Sequence, residues 1–159
     1  MSASAPQYKK ALLPGSYDPV TLGHMAIIRR ACALCEQVVV GVFVNPEKVC
    51  RYPADKRAEM LRAACAGLGQ VRVICDGGFV ADYAKSQGCD VIIKGYRNEN
   101  DLAYEQQMAD YNLGRGGVPT LLLSCEAALS AISSTEVRRR LAAGEKPDGL
   151  VPPEILPLL

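Results

Sequence analysis

The sequence predicts one doubly wound α/β domain built on about five parallel strands. Three observations carry this reading. Short runs rich in Val, Ile and Leu take turns with longer amphipathic stretches about five times along the chain. Those runs are apolar throughout, as strands covered on both faces are. No internal repeat, low-complexity tract or linker divides the 159 residues, a length that suits a single core.

In order, the strands are expected at ALLPG (11–15), QVVVGVFV (37–44), VRVICD (71–76), DVIIKG (90–95) and PTLLLS (119–124). Helices are expected at HMAIIRRACALC (24–35), PADKRAEMLRAACAGL (53–68), FVADYAKSQG (79–88), NDLAYEQQMADYN (100–112) and STEVRRRLAAG (134–144). Asp55 and Glu59 favour the first turn of the helix after Pro53. Ser134 and Glu136 complement the start of the last helix, and its final turn is basic. Gly88 and Gly144 fall where C-terminal caps belong. The segment NLGRGGVP (112–119) reads as a flexible connector. Beyond a core of about 10–144, Pro147, Pro152 and Pro153 make the tail 145–159 irregular up to the apolar EILPLL, which is expected to pack on the body or on a neighbour. The whole is a Rossmann-like pattern, with its ligand crevice outside the carboxyl ends of the strands.

Composition narrows the function classes. Hydrophobic residues make up 49% and charged residues 22%, which is ordinary for a globular domain. The net charge of +1 gives no global field for nucleic acid or an anionic membrane, so anion chemistry must come from local clusters. The basic run after Glu136 reads as a helix C-terminus, not a nucleic-acid contact. Seven cysteines, an odd number scattered through apolar segments, predict reduced thiols in a cytoplasmic protein. Cys32 and Cys35 lie within one helical pattern, without a second pair or a nearby histidine, and read as core thiols instead of metal ligands. The start MSASAPQYKK has no apolar leader segment, and the run 38–44 is too short to span a bilayer.

The unusual motifs fall at strand ends. The loop LLPGSYDPVTLGH (12–24) leaves the first strand and contains the only histidine; NPEK (45–48) leaves the second; KGYR (94–97) ends the fourth; and 124–135 follows the fifth. One crevice then collects Ser16, His24, Lys48, Lys94, Arg97 and the hydroxyl run Ser133, Ser134 and Thr135. Hydroxyls, backbone amides at helix starts and several cations together make an anion site. Asp18, before Pro19, reads as a turn residue and not a metal ligand.

The combination of PGSYDPVTLGH, KGYRN followed by DLAYEQQMA, and ISST resembles the nucleotidyltransferase superfamily that carries a (T/H)-x-G-H motif. Within it the chain is most similar to the bacterial phosphopantetheine adenylyltransferases, from Leu12 to about Leu141 and in the same order. The resemblance implies adenylyl transfer from ATP to 4′-phosphopantetheine, giving dephospho-coenzyme A and pyrophosphate, without a covalent enzyme intermediate. It implies that His24 stabilises charge on the α-phosphate, and that the Ser16 hydroxyl and the Tyr17 amide hold phosphates. Lys48 and Lys94 would bind the pantetheine phosphate and act in transfer. Gly95, Tyr96 and Arg97 would line the adenine pocket, with Glu105 facing the nucleotide. Leu129, Ser130, Ala131, Ile132, Ser133, Ser134 and Thr135 would wrap the base and phosphates, while Val80, Met108 and Asn112 would hold the pantetheine arm. It also implies magnesium on the triphosphate without a dedicated carboxylate cage, a homohexamer, and coenzyme A as a feedback ligand.

The chain departs from the family at two places. Lys94 stands where arginine is usual, keeping the charge without the bidentate fork. Leu129 and Ala131 stand where aromatics are usual, which removes two platforms for the base. The ISST ending is similar to nicotinate mononucleotide adenylyltransferases, so an enzyme acting on nicotinate or nicotinamide mononucleotide is the alternative of the same fold. A non-catalytic nucleotide-binding protein is the alternative of another class; the presence together of Ser16, His24, Lys48, Arg97 and Glu105 speaks against it.

Overall fold

The computed structural model describes residues 5–159. Five strands, β1 (Tyr8–Gly15), β2 (Cys35–Phe43), β3 (Val71–Asp76), β4 (Val91–Tyr96) and β5 (Thr120–Ser124), form one sheet in the order β3-β2-β1-β4-β5, with every neighbouring pair parallel. The helices are α1 (Leu22–Leu34), α2 (Ala54–Ala64), α3 (Val80–Ser86), α4 (Glu99–Gly116) and α5 (Ser134–Ala142). The strand order reverses between β1 and β4, which is the switch point where open α/β sheets bind ligands.

Alternation along the strands splits the core into two layers. Ala11, Leu13, Val38, Val40, Val91 and Ile93 face one side, against Met25 and Ile28 of α1, Met60 and Leu61 of α2, and Val137 of α5. Leu12, Val39 and Ile92 face the other side, against Ala84 of α3 and Val118. Each inner strand therefore buries both faces, which is why these runs carry no polar alternation. Among the described residues, no helix is long and apolar enough to cross a membrane.

Several boundaries differ from the sequence-based expectation, each for a local reason. Cys35 is not in the first helix: it caps α1 in an extended conformation and opens β2, paired with Tyr8. Glu59 lies beyond the first turn of α2, where Asp55 is the acidic residue, and instead meets Lys56 at 3.4 Å. The segment 112–119 is not a flexible connector, because α4 continues through Gly116. A Cβ on Gly116 would stand 2.5 Å from the Ala81 carbonyl oxygen, so glycine is what lets α4 close on α3. Gly117, at φ 74°, then terminates the helix in the left-handed region.

Gly88 and Gly144 are left-handed just past α3 and α5, as expected of caps. The tail ends in a 3-10 helix, Pro153–Leu158, whose Ile155 is fully buried in the layer formed with α2. It packs on the body, and the Leu22 amide at the start of α1 donates to the Leu150 carbonyl at 2.9 Å.

Candidate active site

The crevice begins where a ladder stops. β1 pairs with β2 continuously up to Gly15 and Val42, but with β4 only at Ala11–Val91 and Leu12–Ile92. Beyond that point the ends of β1 and β4 frame a crevice of about 370 Å³, lined by the loop after β1, the first turn of α1, Lys48, the end of β4, Glu105 and the start of α5. That volume suits a small-molecule site, since such pockets run from about 300 to 1,000 Å³.

His24 occupies the third position of α1, and the local sequence fixes its ring. Thr21, the N-cap, accepts from the His24 amide through Oγ1 at 3.3 Å, and its own amide donates to His24 Nδ1 at 3.0 Å. This is a capping box with imidazole in the place usually taken by glutamate. Because Nδ1 is an acceptor, the neutral ring carries its proton on Nε2. Burial, then the nearby Lys94 and Arg97 charges, lower the imidazole pKa to about 4. At neutral pH His24 is thus an uncharged Nε2–H donor facing an anion crevice.

Tyr17 sits under this ring. Its side chain folds back so that the hydroxyl donates to the Leu13 carbonyl at 2.9 Å and the ring meets the imidazole edge-on at 4.8 Å. Burial pushes its phenol well above the ordinary range. A Cβ on Gly15 would lie 3.0 Å from the Tyr17 ring, so a larger residue at the end of β1 would crowd this fold-back. The backbone of Tyr17 is left-handed, with φ 49°, a conformation that a non-glycine residue rarely adopts outside constrained sites.

The cations reach the crevice from separate elements. Lys48 Nζ donates to Ser16 Oγ at 3.2 Å. Lys94 Nζ donates to the Pro14 carbonyl at 3.3 Å and meets Glu105 at 3.5 Å. Arg97 Nε donates to Asp101 at 2.9 Å, which holds that carboxyl below its usual range despite the opposing effect of burial. The site is thus positive but held together by its own carboxylates, which a polyanion would displace.

At α5 the hydroxyls are already engaged. Ser133 Oγ accepts from the Glu136 amide at 3.1 Å, Ser134 Oγ donates to the Pro19 carbonyl at 2.8 Å, and Thr135 Oγ1 accepts from Arg138 at 3.1 Å. These hydroxyls shape the helix start, leaving the Ser134 and Thr135 amides as features suited to phosphate, beside an Arg138 guanidinium that also holds the Asp18 carbonyl at 2.9 Å. Arg138 was not anticipated. Its signal was its place four residues after Ser134, on the same helix face.

The structure brings together Ser16, Tyr17, His24, Lys48, Lys94, Gly95, Tyr96, Arg97, Glu105, Ile132, Ser133, Ser134 and Thr135 around this crevice. Leu129, Ser130 and Ala131 lie outside its lining. Leu129 belongs to a short 3-10 turn, Ala127–Leu129, and faces a shallow hollow beside Leu22, Ala26 and Arg29. Val80 opens α3 and packs against the second core layer. Met108 is half-buried and Asn112 buried on α4, away from the lining.

Among the described residues no group of three or more His, Cys, Asp or Glu side chains is placed to hold a metal ion. Asp18, the nearest loop carboxylate, is 2% exposed and accepts from the Arg51 and Tyr52 amides at 2.8 and 3.0 Å.

An anion crevice at the β1–β4 switch point, with a histidine donor at the opening of a helix, defines a nucleotidyltransferase, and the cytidylyltransferase-like family model matches residues 12–140. The phosphopantetheine adenylyltransferase of Symbiobacterium thermophilum is 42% identical over 145 residues, spanning 91% of this chain and 90% of that protein. That of Kocuria rhizophila is 41% identical over 93% of this chain and 96% of its own length, and that of Clostridium botulinum 38% identical over 94% and 92%. The chain belongs to the phosphopantetheine adenylyltransferase family.

Proposed function

We propose that this enzyme transfers the adenylyl group of ATP to 4′-phosphopantetheine, releasing pyrophosphate and forming dephospho-coenzyme A. A phosphate oxygen of the acceptor attacks the α-phosphorus; that P–O bond forms as the bond from the α-phosphorus to the β-phosphate oxygen breaks, and pyrophosphate carries the electron pair away. The attacking oxygen is already anionic, so the reaction needs positioning and charge stabilisation more than a general base. This matches a crevice that holds no unengaged catalytic carboxylate or activated nucleophile among the described residues.

The observation that carries the reading is His24, an uncharged Nε2–H donor held rigid at the switch point and flanked by Lys94 and Arg97. A neutral donor on the α-phosphate strengthens its contact as charge moves onto the non-bridging oxygens. Lys48, which reaches Ser16, and Lys94 steady the acceptor phosphate and the transferring group. Arg97, Arg138 and the first amides of α5 take the remaining phosphates. Magnesium would enter with ATP, held by phosphate oxygens and water, and would neutralise triphosphate charge. A homohexameric, cytoplasmic enzyme with coenzyme A as a competing occupant of the crevice completes the proposal.

The nicotinate mononucleotide reading rests on ISST alone, and the relatives do not favour it: five that are 35–42% identical each carry the name phosphopantetheine adenylyltransferase. The test is pyrophosphate release from magnesium–ATP with each acceptor in parallel. Release with 4′-phosphopantetheine alone is expected. Release only with the mononucleotide would overturn the substrate assignment, and silence with both would overturn the transferase reading for this chain.

A further inference from the structure

Arg57 lies on α2, is only 4% exposed and does not line the crevice. A guanidinium this buried is costly unless its donors are matched. It has no carboxylate within ion-pair distance among the described residues. Its charge is directed at two backbone carbonyls instead: Nε donates to Tyr52 at 2.9 Å and Nη1 to Ser16 at 2.8 Å. The first carbonyl closes the segment that carries Lys48, and the second belongs to the loop after β1.

The Ser16 contact has a geometric consequence. In a planar trans peptide the carbonyl and the following N–H point in opposite directions. With the Ser16 carbonyl turned back toward α2, the Tyr17 N–H is turned the other way, into the crevice that Ser16 and Tyr17 both line. That N–H donates to no protein acceptor among the described residues, although Tyr17 is 6% exposed. A backbone donor without a protein partner, in a residue that lines the crevice, is free to meet a ligand acceptor. The peptide is followed by a left-handed backbone at Tyr17, φ 49°, which a non-glycine residue rarely adopts.

We infer that Arg57 is a positioning residue: it locks the Ser16–Tyr17 peptide so that the Tyr17 N–H is a fixed donor to a phosphate of the bound nucleotide. A flipped peptide would turn the Ser16 carbonyl oxygen toward that phosphate and replace attraction by repulsion. The identity of the anion as a nucleotide phosphate rests on the proposed reaction, whereas the peptide orientation rests on the hydrogen bond alone.

The experiment compares wild type with Arg57→Gln and Arg57→Lys, both checked for folding by thermal melting. Kinetics with each substrate varied are combined with the ¹H–¹⁵N signal of the Tyr17 amide during titration with magnesium–ATP in the absence of acceptor. Arg57→Gln is expected to raise the KM for ATP or lower kcat by on the order of 10-fold, as loss of a charge-assisted hydrogen bond does, with the KM for the acceptor near that of wild type. Arg57→Lys, which keeps one donor for Ser16, is expected to recover most of that loss. The Tyr17 amide shifts with ATP in wild type and not in folded Arg57→Gln. Unchanged ATP kinetics and an unchanged Tyr17 response in a folded variant would overturn the inference, as would a uniform fall in kcat that tracks lost folded protein. If Arg57→Gln does not fold, Arg57→Met, which keeps the length of the side chain but carries no donor for Ser16 or Tyr52, carries the test through the same KM split. A wild type inert with every acceptor whose Tyr17 amide still responds to ATP would overturn the reaction and leave the positioning role standing.

Discussion

The Thr21 amide hydrogen bonds to Nδ1 of His24 at 3.0 Å, and this contact sets the chemistry of the only histidine in the chain. It places the proton of the neutral ring on Nε2. Burial and the Lys94 and Arg97 charges then keep the ring neutral down to about pH 4.

The first prediction concerns catalysis and pH. His24→Ala should lower kcat by about 10²–10³, the usual cost of removing one donor to developing negative charge. In the free enzyme kcat/KM should show no inflection from His24 between about pH 5 and 8. Steady-state rates across that range check both; a wild-type inflection near 6.5 that His24→Gln removes would count against a neutral donor.

The same residue predicts a pH dependence of stability. Its folded pKa, about 4, lies below the value of 6.5 expected in an unfolded chain, so the unfolded state binds more protons between these two values. The stability associated with neutral His24 is full above pH 6.5 and is lost as pH falls from 6.5 toward 4. Denaturant titrations of wild type and His24→Gln at pH 7 and pH 4.5 should differ in how much each loses, with the larger loss in wild type.

Asp18 predicts the reverse pattern, structure without direct chemistry. Its carboxylate accepts two backbone amides from Arg51 and Tyr52 and lies 3.8 Å from Arg138. Asp18→Asn should destabilise the protein by about 1–3 kcal/mol, the range for leaving a buried partner poorly satisfied. The magnesium concentration giving half-maximal rate should not change. Chemical denaturation and a magnesium titration read these outcomes separately.

Gly15→Ala tests the fold-back of Tyr17. The new methyl, 3.0 Å from the ring, must push the phenol away from either the Leu13 carbonyl or His24. A cost of about 1–3 kcal/mol is expected for such overpacking. The melting temperature and kcat should fall together.

Much of this molecule was legible in its sequence. Continuous apolar runs announced strands buried on both faces, and the crevice residues from Ser16 to Thr135 share a visible logic: each lies at a strand's carboxyl end or in the segment after it. The unread parts depend on three-dimensional partners. Gly116 resembles a loop glycine until Ala81 is seen against it, and the helix end at Gly117 follows from that packing. Arg57 and Arg138 look like polar-face residues of amphipathic helices, because nothing local reveals the carbonyls of Ser16 and Asp18 that they hold. Cys35 continues a helical pattern in composition, but its pairing with Tyr8 draws it into the sheet. Leu129 and Ala131 follow the family's order of motifs, yet the turn at Ala127–Leu129 directs Leu129 toward α1 and away from the crevice.

The bond from the Leu22 amide to the Leu150 carbonyl gives the protein a timetable. Leu22 opens the helix that carries His24, and Ile155 seals the core layer beside it. A ribosome makes the loop after β1 early and Leu150 late, so the helix start remains uncapped by this contact throughout most of synthesis. Nascent chains halted before Leu150 should therefore hold the histidine in an unfinished setting, and activity should arrive with completion of the tail, well after the residues that perform it have been made.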